Sequence, residues 1–303
     1  MSARKMHTNE VDTNIDLVAR LLAAQFPQWA DLLIEPVPSA GTDNALYRLG
    51  ADMVVRLPRI DWAIGQAEKE RQWLPILAPF LPLPIPVQLA KGKPGEGYPW
   101  EWSIYRWLAG ESAMIEQIAD PCQAAADLAR FIVALQRIDI RGGPLAIEHN
   151  LRGVPLIMRD ASTREAIIAL NGIIDSDVAM MVWEAALQAP QWDRTPVWFH
   201  GDLLAGNLLV QQGRLSAVID FGGLGVGDPA CDLMIAWSLF AGESREVFRT
   251  VLAVDDATWA RGRGQALSQA TIFIPYYLNT NPIGVGNARR LIDEVLADYR
   301  ANN

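Results

Sequence analysis

The spacing of apolar residues changes along the chain from a mixed pattern to an almost wholly helical one. Residues 12–26 carry apolar side chains at helical spacing, and Pro27 ends the helix that they predict. A second helix is predicted from Trp62 onward. Short apolar runs bounded by Gly, Pro, Asn and Asp predict strands at 33–38, 45–49, 53–57, 87–90 and 100–107. We therefore expect a small β-rich unit in the first part of the chain.

The elements predicted after this unit are mostly helices. Asp120-Pro121 is an N-cap followed by proline at the first helical position, and an apolar stripe extends that helix to about residue 137. Further helices are predicted at 162–170, 175–188, 228–240 and, after Gly242, in two or three segments. The exception is a β-hairpin, in which apolar runs at 207–210 and 215–219 flank a four-residue turn that contains Gly213.

Composition limits the classes of function that fit this chain. The 303 residues are 50% hydrophobic, which is ample for a core, and they carry a net charge of −9. This acidic balance argues against a nucleic-acid-binding protein, whose phosphate contacts need a basic face. The start lacks an apolar signal core, and no apolar run approaches the ~20 residues of a membrane span, so we expect a cytoplasmic protein. Cys122 and Cys231 are expected to be buried thiols, and nothing in the sequence indicates the oligomeric state.

Two short motifs in the second half of the chain carry its chemistry. The first reads His-x-Asp-Leu-x-x-x-Asn, with His200, Asp202 and Asn207, and the second is Asp220-Phe221-Gly222. The predicted hairpin would bring Asn207, at its entrance, beside Asp220, at its exit. In phosphoryl transfer one carboxylate takes the proton of the attacking hydroxyl, while an amide and a second carboxylate hold Mg²⁺ against the nucleotide phosphates. A single Asp or Asn in a loop is usually a cap, but both motifs in this order and spacing indicate a kinase-like site.

These motifs and the segment Gly227-Asp228-Pro229-Ala230-Cys231-Asp232-Leu233 resemble the aminoglycoside phosphotransferase family, small-molecule kinases with a protein-kinase-like fold. The resemblance implies an α+β, bilobal fold. A small antiparallel, β-rich N-terminal lobe (1–106) would bind the nucleotide, and a larger helical C-terminal lobe (107–303) would carry catalysis and substrate binding. Only five residues separate Gly222 from Asp228, which leaves no room for an activation loop, so regulation by loop phosphorylation is not expected.

The resemblance also implies an activity and a role for each motif residue. The γ-phosphate of ATP or GTP would be transferred, with Mg²⁺, to a hydroxyl of a small-molecule acceptor. Asp202 would be the base or orienter of that hydroxyl, and Asn207 and Asp220 would bind the metal. The residues interpreted as braces of the catalytic loop are His200, Asp228 and Asp232.

The phosphate-binding cation is an unusual one. Arg56 stands in the third predicted strand, where kinases carry a Lys that holds the α- and β-phosphates. Arginine is permanently charged and binds phosphate in a two-pronged manner, so this replacement is compatible with nucleotide binding. Glu68 and Glu70 are the candidate acidic partners. We favour Glu70, because Leu74 and Leu77 follow it on the same helix face.

Two further nucleotide contacts are predicted by position in the chain. Gly41 and Thr42 lie in a small hairpin turn that would place backbone N–H groups over the triphosphate. Tyr105 and Trp107 lie at the predicted junction of the lobes, where extended backbone would read the purine edge. Because backbone groups do the reading, the sequence does not decide between ATP and GTP.

The acceptor is the least determined part of the site. Aminoglycosides are polycations and would select acidic clusters, whereas macrolides would select an apolar groove. The candidate acceptor-binding residues are Glu243, Phe273, Tyr276 and Tyr277, and they leave both classes open. A kinase of an endogenous metabolite (a sugar, choline or an amino alcohol) is one alternative. A nucleotide-binding scaffold without turnover is another, although a scaffold need not keep all three polar residues of the motifs.

Overall fold

The computed structural model describes residues 9–38, 43–146 and 151–302. Within these ranges an antiparallel sheet forms the N-terminal part and helices dominate the remainder, as the apolar pattern predicts. Gly41 and Thr42 lie outside the described residues, and their predicted place above the triphosphate stays a prediction. The boundary between the two predicted lobes, 1–106 and 107–303, also stays a prediction.

The N-terminal part is a five-stranded sheet with two helices. Its elements are α1 (Ile15–Gln25), β1 (Ile34–Pro36), β2 (Asn44–Leu49), β3 (Met53–Pro58), α2 (Gln66–Leu77), β4 (Gln88–Gly92) and β5 (Trp102–Arg106). The strand order is β1-β2-β3-β5-β4, and every neighbouring pair is antiparallel. Helix α2 begins later than the sequence predicts, because a 3₁₀ turn at Asp61–Ala63 and Gly65, with φ of 87°, precede it. Strand β3, which carries Arg56, lies in the middle of the sheet.

A hydrophobic core joins α1 to this sheet. The buried face of α1, which includes Leu21 and Leu22, packs with Val55 of β3 and Ile104 of β5. Burying each such side chain stabilises the fold by about 1.5–3 kcal/mol. Gly92 marks the tightest approach, since a Cβ there would lie 2.0 Å from the fully buried indole of Trp102. Glycine is therefore required at this position of β4, where the Trp102 ring packs against the backbone.

The remaining elements surround the catalytic motifs. The helices are α3 (Pro121–Gln136), α4 (Asp160–Ala169), α5 (Ser176–Gln188), α6 (Ile235–Ser238), α7 (Glu243–Leu252), α8 (Asp256–Tyr277) and α9 (Pro282–Asn302). The short strands are β6 (Glu111–Ser112), β7 (Val197–Phe199), β8 (Leu208–Gln211), β9 (Arg214–Val218) and β10 (Gly225–Gly227). They form a three-stranded sheet, β6-β8-β9, and a pair, β10-β7. Among the described residues, no helix combines the length and the apolar character needed to cross a membrane.

Two local predictions are wrong. The hairpin turn between β8 and β9 has two residues and not four, because Gln211 and Arg214 already pair across the strands. Gln212 and Gly213 both have positive φ, 55° and 74°, the backbone that suits the twist of a two-residue hairpin. The helix predicted over 228–240 is instead a 3₁₀ helix at Pro229–Met234 followed by the short α6. Long-range hydrogen bonds of Asp232, described below, hold this tighter coil.

Helix α8 is the buried centre of the C-terminal part. It packs against α4, α5, α9 and the 3₁₀ helix Pro229–Met234. Two glycines permit the closest of these contacts. A Cβ on Gly262 would lie 2.6 Å from the Leu233 side chain, and one on Gly264 would lie 2.4 Å from the Cβ of Ala186. The 3₁₀ helix and α5 therefore approach α8 most closely at positions where α8 has no side chain.

Gly262→Ala tests this packing, with Gly286→Ala of α9 as the control. At Gly286 no atom lies within 4 Å of the added Cβ. There the exchange should stabilise the fold by up to about 1 kcal/mol, the helix-propensity difference. At Gly262 the clash with Leu233 should outweigh that gain and leave a net loss of about 1–3 kcal/mol, the usual cost of overpacking. Urea unfolding followed by circular dichroism measures both, and equal stability of the two variants would contradict the contact.

Candidate active site

Residues 200–207, which carry the first motif, are named the catalytic segment. A buried carboxylate and a buried imidazole hold this segment in place. Asp232 accepts hydrogen bonds from the backbone N–H groups of His200 and Gly201, both at 2.8 Å. The Nδ1 atom of His200 accepts from the Asp202 N–H at 3.1 Å, and its Nε2 donates to the Ile219 carbonyl at 3.0 Å. His200 is fully buried and both ring nitrogens are occupied. Its geometry is that of a brace between the catalytic segment and β9, and it leaves no nitrogen to act as a base.

Asp202 lies at the end of this braced segment with each carboxylate oxygen engaged. Oδ1 accepts from Arg152 Nη1 at 2.6 Å, and Oδ2 accepts from Asn207 Nδ2 at 3.1 Å. Burial would raise the pKa of Asp202, but the Arg152 guanidinium, together with the Asn207 amide, brings it below its ordinary value. The group is therefore ionised at neutral pH and able to accept a proton.

Asn207 and Asp220 flank the open end of the β8–β9 hairpin. The Ile219 N–H donates to the Asn207 carbonyl at 2.9 Å, which brings the backbone before Asp220 beside that of Asn207. Asn207 Nδ2 donates to the Asp202 carbonyl at 2.8 Å as well as to its carboxylate. The amide nitrogen is thereby committed, and Oδ1 is the Asn207 atom that can bind a cation.

Asp220 is a half-exposed carboxylate in surroundings that disfavour its charge. Its backbone is left-handed, with φ of 63°, a conformation that costs a residue with a Cβ roughly 1–2 kcal/mol. Desolvation raises the pKa of Asp220, and the nearby carboxylates of Asp202 and Glu70 add to this, while Arg56, 3.5 Å away, opposes it only in part. A divalent cation would relieve this repulsion. Together with the Asn207 oxygen, Asp220 fits the oxygen ligands that Mg²⁺ prefers.

The described residues contain no cluster of three or more His, Cys, Asp or Glu side chains that could hold a metal by themselves. One carboxylate and one amide do not complete a coordination shell. Mg²⁺ in nucleotide sites commonly takes only one or two protein ligands, with phosphates and water supplying the rest. The residues present therefore fit a metal that arrives with phosphates.

Arg56 pairs with Glu70 through one nitrogen of its guanidinium and not through two. Its Nη1 donates to both Glu70 oxygens, at 2.8 and 2.9 Å, and its Nη2 donates to Gln66 Oε1 at 2.9 Å. The Tyr105 hydroxyl also donates to Glu70, which is almost fully buried. Burial opposes the charge of Arg56, but the carboxylate of Glu70 raises its pKa above the ordinary value. Glu68, the other candidate, pairs with Arg71 and Lys91 at the surface.

Lys69 was not singled out from the sequence. Its Nζ donates to the carbonyls of Gly222 and Leu224, at 2.6 and 3.1 Å, and so ties α2 to the segment after Asp220. Burial lowers the pKa of Lys69 to about 8. A sequence signal existed, because Gln66, Lys69 and Glu70 share one helix face at spacings of three and four.

The predicted purine-contacting residues are partly engaged by the protein itself. The backbone of Tyr105 lies in β5 between β3 and β4, and its side chain is directed to Glu70. The Trp107 N–H donates to the Asp52 carbonyl at 2.7 Å, and the Arg48 guanidinium lies 3.9 Å from the centre of the Trp107 indole. Trp107 can therefore offer a nucleotide its backbone carbonyl or its ring, but not its backbone N–H.

The acceptor candidates divide into two places. Phe273, Tyr276 and Tyr277 form an aromatic cluster at the end of α8, with ring centres 4.3 Å apart for Phe273–Tyr277 and 4.6 Å for Tyr276–Tyr277. Glu243 is exposed at the first turn of α7 and lies near Cys122 of α3. Asp228, the third residue interpreted as a brace, caps Ala230 and pairs with the buried Arg261 at 2.7 Å.

Arg152 and Arg159 were also not predicted from the sequence to belong to the site. Both come from the irregular segment between α3 and α4, far in sequence from the residues that they approach. Arg152 contacts Asp202, as described above, and also the Gly201 carbonyl. Arg159 is buried beneath it, with the α8 residue Ser268 as one partner at 2.9 Å. A basic residue in a loop carries no pattern that reveals such a partner.

The chain is similar to known phosphotransferases in sequence profile and in fold. A sequence profile of the phosphotransferase enzyme family matches residues 34–266. The GDP complex of aminoglycoside 2'-phosphotransferase-IIIa is 19% identical, with a TM-score of 0.76 over 95% of this chain and all (100%) of that one. Macrolide 2'-phosphotransferase type I is 18% identical, with a TM-score of 0.63 over 95% and 98% of the two chains. The macrolide 2'-phosphotransferase apoenzyme from Brachybacterium faecium is 21% identical, with a TM-score of 0.59 over 92% and 98%.

No curated protein sequence matches the chain. At identities of this order the solved structures show a common fold. They confirm the kinase-like fold class, with an antiparallel N-terminal sheet and a helical C-terminal part. The roles of individual residues rest on the geometry of the site.

Arg56→Ala and Arg56→Lys test whether Arg56, the cation in β3, contributes to nucleotide binding. Loss of the guanidinium leaves Glu70 buried without its cation, and Arg56→Ala should weaken ATP or GTP binding by about 1–3 kcal/mol, the range for a charged hydrogen-bonding group. Arg56→Lys restores a point charge and should retain part of the affinity. Calorimetric titration of both nucleotides measures the effect.

Lys91→Ala is the matched control for these variants, because Lys91 is also a cation of this sheet that pairs with an acid of α2 but lies at the surface. Its nucleotide affinity should equal that of the unaltered protein. Equal affinity in Arg56→Ala would show that another cation holds the phosphates.

Proposed function

The chain belongs to the phosphotransferase enzyme family, and from the geometry of its site we propose that it transfers the γ-phosphate of ATP or GTP to a hydroxyl of a small molecule. The observation that carries this proposal is the convergence of five side chains in two directly bonded groups. The ionised Asp202 is hydrogen-bonded to the Asn207 amide, and Asp220 lies 3.5 Å from Arg56, which pairs with Glu70. Phosphoryl transfer needs a base, metal ligands and a phosphate-binding cation in one cleft.

Asp202 is the proposed catalytic base. The acceptor hydroxyl would donate its proton to the Asp202 carboxylate while its oxygen forms a bond to the γ-phosphorus. The bond from that phosphorus to the β-phosphate oxygen breaks, and the nucleoside diphosphate leaves. The low pKa of Asp202 limits its strength as a base, so orienting the hydroxyl is the larger part of its contribution.

Asn207 and Asp220 are the proposed ligands of Mg²⁺. When bound, the metal would neutralise charge on the phosphate oxygens. The protein contributes a fixed carboxylate in a left-handed backbone and an amide whose nitrogen is already committed. Both groups are therefore oriented before any ligand arrives, and binding costs little reorganisation.

Arg56, positioned by Glu70 and Gln66, is the proposed contact to the α- and β-phosphates. Its Nη2 lies 3.5 Å from Asp220 Oδ1, which places the guanidinium beside the proposed metal. Gly41 and Thr42 over the triphosphate, and Tyr105 and Trp107 near the purine, complete the proposed nucleotide site. None of these groups distinguishes ATP from GTP.

The acceptor is proposed to be a small molecule because the site belongs to a fold whose solved members include aminoglycoside and macrolide phosphotransferases. Antibiotics of these two types and endogenous metabolites with a hydroxyl are the candidate acceptors. Phe273, Tyr276 and Tyr277 are proposed to contact them, since α8 runs from Ser268 beneath Arg159 to this aromatic cluster. Glu243, near α3, is a weaker candidate.

Consumption of nucleotide tests the proposed function. Purified protein is incubated with Mg²⁺, ATP or GTP, and aminoglycosides, macrolides, sugars and amino alcohols in turn, and the phosphorylated product is identified by mass spectrometry. Asp202→Ala should lower turnover by at least ~10²-fold and leave nucleotide affinity nearly unchanged, because the base acts on the acceptor and not on the nucleotide. A nucleotide-binding scaffold would bind ATP or GTP but would consume neither with any acceptor.

The metal assignment has a separate test. A crystal structure with nucleotide and Mn²⁺ should show anomalous density in contact with both Asn207 and Asp220. Asp220→Asn should weaken Mn²⁺ binding, measured by electron paramagnetic resonance, more than Asp202→Asn, because only Asp220 is proposed to bind the metal. A metal held by other carboxylates would refute the assignment.

A further inference from the structure

Arg152 has more hydrogen-bonding capacity than the protein uses. Its Nη1 donates to Asp202 and to the Gly201 carbonyl. Its Nη2 and Nε make no hydrogen bond within residues 9–38, 43–146 and 151–302. The side chain is only 15% exposed. A mostly buried guanidinium thus presents two parallel donors, the edge that binds a carboxylate or phosphate in a two-pronged manner.

A second positive charge supports the first. The partners of Arg159 are neutral, namely Ser268 Oγ at 2.9 Å, the Leu151 carbonyl at 3.1 Å and Gln269 Oε1 at 3.3 Å. No carboxylate pairs with it in the described part of the chain. Burial lowers the pKa of Arg159 to about 10, and the charge of Arg152 contributes to this. Among the described residues, the guanidinium near Arg152 therefore has neutral partners only, and a nearby anion would stabilise its charge.

Arg152 approaches the proposed base from a different element than the proposed phosphate contacts. Arg56 and Lys69 come from the sheet and from α2, and they contact Asp220 and the segment after it. Arg152 comes from the segment between α3 and α4 and contacts Asp202, while Arg159 of the same segment contacts α8. An acceptor hydroxyl bound to Asp202 would therefore lie close to the open edge of Arg152.

We propose that this open edge binds an anionic group of the acceptor, so that the acceptor is a hydroxyl compound with a carboxylate or phosphate close to the reacting hydroxyl. The proposal rests on the proposed phosphotransferase function. It disfavours polycations as acceptors, because an ammonium group bound at this edge would lie beside the Arg152 guanidinium.

The test measures binding, so that it does not depend on having the true acceptor in hand. Protein saturated with Mg²⁺ and a non-hydrolysable ATP or GTP analogue is titrated with three matched sets of compounds. These are hydroxy acids and sugar phosphates, the corresponding neutral polyols and sugars, and amino alcohols and aminoglycosides. Saturation-transfer NMR identifies the ligands, and calorimetry gives their dissociation constants.

We expect ligands from the anionic set, with dissociation constants that rise at least about tenfold in Arg152→Gln. Arg152→Lys should recover part of the loss, since it restores charge without the fork. Arg141→Gln is the control, because Arg141 belongs to the same inter-helix segment but its side chain is 91% exposed. Thermal unfolding verifies that each variant is folded.

Three results would overturn the proposal. They are the absence of any ligand from the anionic set, preferential binding of the cationic set, and equal binding of anions by Arg152→Gln. A loss in Arg152→Gln of affinity for the triphosphate analogue relative to the diphosphate would assign Arg152 to the γ-phosphate, which also overturns it. Failure of this proposal is distinct from failure of the function, since consumption of nucleotide with any acceptor, abolished by Asp202→Ala, establishes the latter independently.

Discussion

The buried carboxylate of Asp232 is the interaction on which the site depends. It accepts the N–H groups of His200 and Gly201, and these bonds fix the backbone from which Asp202 extends. Gly201 must be glycine here, because its φ is 82° and a Cβ would lie 2.3 Å from the Gly223 carbonyl oxygen. A buried charge without such partners would cost several kcal/mol. The same two bonds that satisfy Asp232 therefore set the position of the base.

Three aspartates within a few ångströms of this backbone acquire different properties from their surroundings. Asp232 is enclosed and accepts two backbone hydrogen bonds, Asp202 is held ionised by Arg152, and Asp220 is half-exposed with Arg56 at 3.5 Å. Divergent environments of like groups are the usual means by which one site separates a base from a metal ligand. The sequence motifs predict different roles for the three carboxylates, and their partners in the fold supply the physical reason for the difference.

Features of the structure could be predicted from the sequence when the interacting residues lie close together along the chain. The strands and helices came from local periodicity, and the fold class came from the resemblance of the motifs to a known family. The hairpin that joins Asn207 to Asp220 came from two adjacent apolar runs. Helix-face reasoning identified Glu70 over Glu68 as the partner of Arg56. Contacts between distant residues could not be predicted, as for Arg152 with Asp202, 50 residues apart, and Lys69 with Gly222, 153 apart. The regular helix expected over 228–240 failed for the same reason, since long-range bonds of Asp232 overrode local propensity.

The short strand β10 has a consequence for inhibition. It pairs with β7 immediately after Phe221-Gly222-Gly223, and Phe221 is fully buried with its ring 4.5 Å from His200. A Cβ at Gly227 would lie 2.4 Å from the Gly153 carbonyl oxygen, so the backbones of these two residues pack closely together. A compound that binds by expelling this phenylalanine would have to open that packing and the β7–β10 pair. Inhibitor design therefore favours compounds that compete directly with the nucleotide or with the acceptor.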